Sequence, residues 1–208
     1  MNESSKNTGK AHDYLFEKAL NNGQVNFICE VKKASPSKGL IAKDFDYVNI
    51  GLEYQVAGAS CISVLTEPHY FKGSNKYLEE IKRSVNIPVL RKDFIIDSYQ
   101  IYESKLIGAD CILLICSILS DYQLREYMDI AYRLGLSVLV EAHNENEVSR
   151  ALSLGARIIG VNNRNLKDFT VDIENSFRLR KIVADDILFI SESGIRTAED
   201  IKRCHEAN

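Results

Sequence analysis

The sequence predicts a parallel α/β barrel, and two observations lead there. Short runs rich in Val, Ile and Leu alternate seven times with longer amphipathic segments, with no linker and no break in composition. Near the carboxyl end of run after run stands an ionisable or amide residue: Glu30 and Lys32, Lys92, Glu141, Asn162 and Glu192. The alternation alone fits a closed barrel or a doubly wound open sheet. The placement of the polar residues favours the barrel, whose catalytic groups come from the ends of several different strands. Neither G-x-G-x-x-G nor G-x-x-x-x-G-K-[ST] follows the first run, so the phosphate-binding fingerprints of the open nucleotide folds are missing.

The elements follow in order. A polar segment (1–15) precedes the barrel domain (16–208). Strands are expected at 27–32, 61–67, 88–94, 111–118, 137–143, 157–163 and 187–193, apolar on both parities as suits parallel strands buried on both faces. Helices are expected between and after them, at 47–57, 75–84, 98–107, 121–134, 144–154, 173–183 and 197–206. Gly58, Gly108, Gly135 and Gly155 stand where four of these helices would need a C-cap.

Side chains alternate faces along a strand, so parity sorts the residues that point the same way. Ile28, Glu30 and Lys32 share a face, as do Leu90 with Lys92, Leu139 with Glu141, Ile158 with Asn162, and Ile190 with Glu192. Aliphatic layers below and polar groups above describe a barrel interior and its mouth. A single Lys or Glu at a strand end is usually a solvated charge leaving the sheet. Five such ends together point to one site, where two lysines and three glutamates offset one another and shift each other's pKa values usefully for proton transfer.

Composition narrows the partners. The net charge of −3, from 26 basic and 29 acidic residues, supplies no global field for nucleic acid or anionic membranes, so an anionic ligand must be held locally. Five cysteines, with no C-x-x-C spacing, read as reduced core residues of a cytoplasmic protein. No apolar run approaches the roughly 20 residues that span a bilayer. His12, His69 and His205 are scattered and form no metal-ligand spacing, so no metal site is expected. Cys29 and His143 read as core or rim residues, neither with a complementary partner nearby in sequence.

Taken together, FICEVKKASPSKG (27–39), SVLTEPHYFKGS (63–74), PVLRKDFIIDSYQI (88–101), GADCILLI (108–115), LVEAHNENE (139–147), GVNNRNL (160–166) and ISESGI (190–195) resemble the indole-3-glycerol phosphate synthases in order and spacing. The resemblance runs from about Phe16 to the last residue. It implies a (β/α)8 TIM barrel, of which this chain offers seven strand-helix units. It also implies a lyase of tryptophan biosynthesis that needs no cofactor. Such an enzyme cyclises 1-(o-carboxyphenylamino)-1-deoxyribulose 5-phosphate with loss of carbon dioxide and water. In the roles it implies, Lys92 is the general acid at the carbonyl, and Glu30 with Lys32 moves protons chiefly in the dehydration. Glu141 is a base or stabilises positive charge on the anilino nitrogen and ring. Ser35, Asn162 and Arg164 orient the carboxylate or the sugar hydroxyls, Glu192 with Ser193 completes the mouth, and Ser193 with Gly194 forms half of a phosphate site.

The resemblance further implies an eighth strand and a glycine-rich phosphate loop beyond the seventh unit, and a helical N-terminal extension over the mouth. A barrel of seven strands is expected to leave its first and seventh as sheet edges open to self-association. Two other readings stand beside the synthase. One is a related phosphate-binding barrel isomerase, against which Glu30, Lys32, Lys92 and Glu141 together argue. The other is a split-barrel assembly module without activity.

Overall fold

The structure, a computed structural model, describes residues 13–41, 43–165 and 168–207; the polar start as far as His12, and Leu166, lie outside the described residues. Seven parallel strands form one sheet: β1 (Ile28–Val31), β4 (Cys61–Leu65), β5 (Val89–Lys92), β6 (Cys111–Ile115), β7 (Ser137–Ala142), β8 (Ile158–Asn162) and β9 (Leu188–Glu192). They pair in that order, so every connection is a right-sized crossover between neighbours. A two-stranded antiparallel ribbon, β2 (Ala34–Ser35) with β3 (Gly39–Leu40), rises from the loop after β1.

The crossover helices are α2 (Tyr47–Val56), α3 (Asn75–Ser84), α4 (Tyr99–Leu106), α5 (Asp121–Arg133), α6 (Glu145–Ser153) and α7 (Glu174–Arg180), with α8 (Ala198–Glu206) after β9. Capping residues set their starts. The Ser120 and Thr197 side chains make reciprocal capping boxes with Gln123 and Asp200, and Asn144 accepts from the Glu147 N–H. At the other ends Gly58, Gly108, Gly135 and Gly155 all have positive φ, from 73° to 93°, as their expected C-cap positions require.

The sheet divides the core by parity. Leu90, Cys111, Leu113, Leu139 and Ile158 gather on the inner face, with Ile28, Leu188 and Ile190 packed against them. The alternate residues face the helices: Ile112, Leu114, Val138, Val140 and Ile159 toward α5 and α6, and Val31, Ile62, Val64 and Val89 toward α2 and α3. Every residue of β4, β6 and β7 is buried, whereas β9 is only partly buried along its length. Among the described residues β1 and β9 each have one strand neighbour. The expected edges are therefore present, with Phe27 beside β1 44% exposed.

One element was not expected from sequence. A short helix, α1 (Leu15–Leu20), closes the amino end of the interior, and its fully buried Phe16 joins the inner cluster. Arg157 holds it there. The guanidinium lies 4.2 Å from the Tyr14 ring and 3.9 Å from the Tyr132 ring, and Nη2 is 3.1 Å from Glu17 Oε1. Polar surroundings in the sequence conceal this anchor, because only one of its six residues is fully buried.

Candidate active site

The strand ends deliver their polar residues to one mouth. Lys92, the last residue of β5, donates from Nζ to Glu192 Oε2 at 2.9 Å, and the same nitrogen lies 3.4 Å from Glu30 Oε2. Glu30 is also paired with Lys32. Residues from the first, third and seventh strands of the sheet thus meet at one ammonium. Glu141, at the end of β7, accepts from Asn162 Nδ2 at 3.3 Å. Asn162 Oδ1 in turn accepts from Ser193 Oγ at 2.9 Å and from the Arg164 N–H at 3.0 Å.

Glu141 and Glu192 are shielded from water, and Glu30, Lys32 and Lys92 partly so, which amplifies their mutual fields. Burial by itself would depress the Lys92 ammonium, but Glu192, Glu30 and Glu141 outweigh it and hold its pKa above the ordinary lysine value. Burial would raise Glu30, yet Lys92 and Lys32 keep its carboxyl below the usual range. Glu192 goes the other way. Burial, with Glu141 and Glu30 nearby, lifts its pKa although Lys92 pulls against the shift. The pKa values of carboxyls in one mouth are therefore driven apart, a separation that acid–base chemistry uses.

Glu192 reaches this position because of a residue with no side chain. A Cβ placed on Gly160 would stand 2.3 Å from Glu192 Oε1 and 3.0 Å from Leu139 Cδ1. Gly in a strand interior is unfavourable for the strand, and here its position is occupied by a neighbour's carboxyl. That oxygen, Oε1, is buried with no protein hydrogen-bond partner.

Beside the charged cluster opens a cleft of about 140 Å³. Phe71, Phe94, Leu113 and Ile118 give it an apolar wall, while Lys92, Glu141 and Asn162 face the same space. The polar residues at the strand ends do not by themselves point to these apolar ones. Phe94 could have been found by parity, since it stands two residues beyond Lys92.

The remaining expected residues are less central. Ser35 lies on the β2–β3 ribbon and its Oγ accepts from the Lys38 N–H at 3.2 Å, within its own turn. The Arg164 guanidinium donates to the Phe169 carbonyl at 3.2 Å, bracing the loop after β8. Ser193 (φ 67°) and Gly194 (φ 89°) both adopt left-handed backbone, strained for the serine, and a Cβ on Gly194 would stand 2.7 Å from Val171 Cγ1. His143 departs from the sequence reading, which found it no partner. Its Nε2 is 3.2 Å from Glu141 Oε1 and its Nδ1 is 3.2 Å from Glu147 Oε2. Both partners are nearby in sequence, and each meets a different ring nitrogen because α6 packs back against β7.

Comparisons with known proteins agree with this geometry. A curated relative from Ruminiclostridium cellulolyticum, named indole-3-glycerol phosphate synthase, is 62% identical over 96% of this chain and 76% of its own length. Relatives of the same name from Endomicrobium trichonymphae and Lachnoclostridium phytofermentans are 61% and 59% identical over 93% of the chain, and over 76% and 72% of their own lengths. The chain thus spans about three quarters of these relatives. Among solved structures, the N-acetylmannosamine-6-phosphate 2-epimerase from Clostridium perfringens is similar with a TM-score of 0.70 at 16% identity, covering 99% of this chain and 90% of that one. At that identity the likeness carries the barrel fold alone. Since the family description "Indole-3-glycerol phosphate synthase" matches residues 2–208, the chain belongs to the indole-3-glycerol phosphate synthase family.

Proposed function

We propose that this mouth closes the pyrrole ring of 1-(o-carboxyphenylamino)-1-deoxyribulose 5-phosphate, releasing carbon dioxide and water to leave indole-3-glycerol phosphate. The observation that carries the reading is Lys92 Nζ, held between Glu192 and Glu30 and facing an apolar cleft. The aromatic ring of the substrate lies against Phe94, Leu113 and Ile118, which places its carboxylate-bearing carbon near the sugar ketone. Ring closure needs a proton at the ketone oxygen as the aromatic carbon attacks, and Lys92 supplies it as general acid. Loss of carbon dioxide then restores aromaticity, so the protein's task is to hold the carboxylate out of the ring plane and stabilise charge.

Glu141, kept anionic, faces the positive charge that builds on the anilino nitrogen and ring. Glu30 and Lys32, already paired, exchange the protons needed when the hydroxyl leaves as water. Asn162, Arg164 and Ser35 orient the substrate's carboxylate and hydroxyls, and Glu192 with Ser193 completes the mouth. The left-handed backbone at Ser193 and Gly194 offers half of a phosphate site. No cofactor takes part in this scheme.

The direct test is to incubate the chain with the substrate and follow the fluorescence of the indole product. A folded chain that binds the substrate without forming indole product would overturn the reading. Within an active chain, Glu141→Gln lowers kcat with little change in KM, because its field acts on charge that develops late. Arg164→Ala raises KM more than it lowers kcat; the opposite split would reassign it to chemistry.

The reading also places the protein in the cytoplasm, in keeping with free, buried Cys61, Cys111 and Cys116. No helix among the described residues is long and apolar enough to cross a membrane. Among the described residues β1 and β9 each have one strand neighbour, and such edges support self-association, since they can recruit other chains. Light scattering tests that part: a monodisperse monomer at high concentration would remove it.

A further inference from the structure

His143 follows the last residue of β7 and is not needed for any role given above. Its side chain is 15% exposed, between Glu141 at 5% and Glu147 at 14%. Glu147 is tied down on three sides. Its Oε2 accepts the His143 backbone N–H at 2.8 Å and lies 3.2 Å from Nδ1, while its Oε1 accepts from Asn144 Nδ2 at 2.8 Å. The ring is therefore fixed from the helix side, and its other nitrogen, Nε2, buried and without a hydrogen bond, lies at an ion-pair distance of 3.2 Å from Glu141 Oε1. Asn175 Nδ2 donates to the His143 carbonyl at 3.1 Å and anchors the backbone beneath it. A row of carboxyl, imidazole and carboxyl thus leads from the first turn of α6 into the mouth.

We propose that His143 is a positioning residue: clamped by Glu147, its ring orients the Glu141 carboxyl and holds it as the anion that the substrate meets. The proposal rests on the role given to Glu141 above. Burial opposes charge on the ring, but Glu141 and Glu147 together push its titration up to about 9, so it is a cation at neutral pH. Glu141 answers in kind. Burial would raise its carboxyl, yet His143, Lys92 and Asn162 keep it below the ordinary range. The other ionisable groups around the row come from neighbouring elements. Cys116 follows β6, its thiol pushed up to about 12 by burial, and Arg150 of α6 is spent on Asp121 and on the Cys116 and Leu119 carbonyls. Lys92 of β5 acts on Glu141 from the opposite side. None of these touches both carboxyls as the ring does.

The test is a carbon-13 titration of the Glu141 carboxyl in the full chain, comparing the parent with His143→Gln, together with kcat and KM. Glutamine can still donate a hydrogen bond but cannot carry charge. The expected result is an upward move of the Glu141 titration and about a tenfold lower kcat, with the acidic limb of the kcat profile moving the same way and KM little changed. Should His143→Gln fail to fold, Glu147→Gln retains the Asn144 contact and the helix start while weakening the clamp, and the same upward move is expected. An unmoved Glu141 titration in the folded variant overturns the proposal, as does a change confined to KM. Absence of turnover in the parent overturns the functional reading instead, and the titration still decides the role of His143.

Discussion

The middle strands β6 and β7 are buried along their whole length, whereas β9, and β1 over its first three residues, are only partly buried. The middle pair shares a ladder of five residue partners, Cys111 to Ile115 against Ser137 to Glu141, backed on both faces by aliphatic side chains. The end strands have no ladder to each other, and what reaches across the interior between them is Lys92, touching Glu30 on one and Glu192 on the other. Hydrophobic burial holds the centre, while charges that also form the mouth link the ends. Such a link is conditional. Buried ion pairs recover little more than their own desolvation, but removing Lys92 would leave Glu192 without its cation while Glu30 keeps Lys32.

The largest test of that contrast is Lys92→Ala, which removes the proposed acid and the link together. Turnover is expected to fall by roughly 10²–10⁴, and Glu30 and Glu192 are left facing each other without their shared ammonium. Near-parental turnover in a folded variant would separate Lys92 from both roles. A matched pair of truncations then measures burial alone. Leu114→Ala in the fully buried centre should lower unfolding free energy by about 2–5 kcal/mol. Leu188→Ala on the half-buried end strand should cost roughly 1–2 kcal/mol. Equal losses in urea unfolding would dissolve the distinction between centre and ends.

Gly160→Ala probes how closely the ends depend on a vacant position. The added methyl collides with Glu192 Oε1, so the carboxyl must leave Lys92 at a cost of about 1–3 kcal/mol, or roughly 10- to 100-fold in turnover. Shortening the partner, as in Gly160→Ala with Glu192→Asp, returns the space; full activity in Gly160→Ala alone would show that the mouth does not need Glu192 there.

The smallest effect is a pH dependence. His143 titrates near 9 when folded, above its ordinary 6.5, so the stability it gives over His143→Gln is fully present below 6.5 and lost as pH rises through about 9. The difference should approach about 1.5 kcal/mol at the acid side of that window, the low end for hydrogen bonds to a charged group. Urea unfolding of both proteins on either side of the window checks it; a gap that widens with pH would contradict the charged ring.

Much of this organisation is legible in the one-dimensional pattern. Residues two apart on a strand share a face, and so Leu90 with Lys92, and Ile190 with Glu192, could be assigned to an interior and its mouth before any partner was known. Likewise the four glycines after helices mark stops because few other residues adopt their backbone freely. The strands are one to three residues shorter at their carboxyl ends than the apolar runs suggest, and after β4, β5 and β6 the residues beyond the ladder, among them Glu67, Phe94 and Ile118, line the cleft. The short β2–β3 ribbon and α1 left no periodic signal, being too brief to show one.

By itself, the sequence determined the alternation of strand and helix, the inward parity, and the chemical types gathered at one end, because each depends on spacing along the chain. Only the tertiary structure decided which of those groups touch. Lys92 meets Glu192 across 100 residues of sequence, Gly160 yields its space to that same carboxyl, and Phe16 closes the far end of the interior. His143 shows the same limit at short range, for Glu147 stands only four residues away, yet the two meet because α6 folds back over the end of β7. Spacing sets which way a side chain points, but contact needs the packing of separate elements to the ångström, and that is a property of the packed core rather than of any one segment.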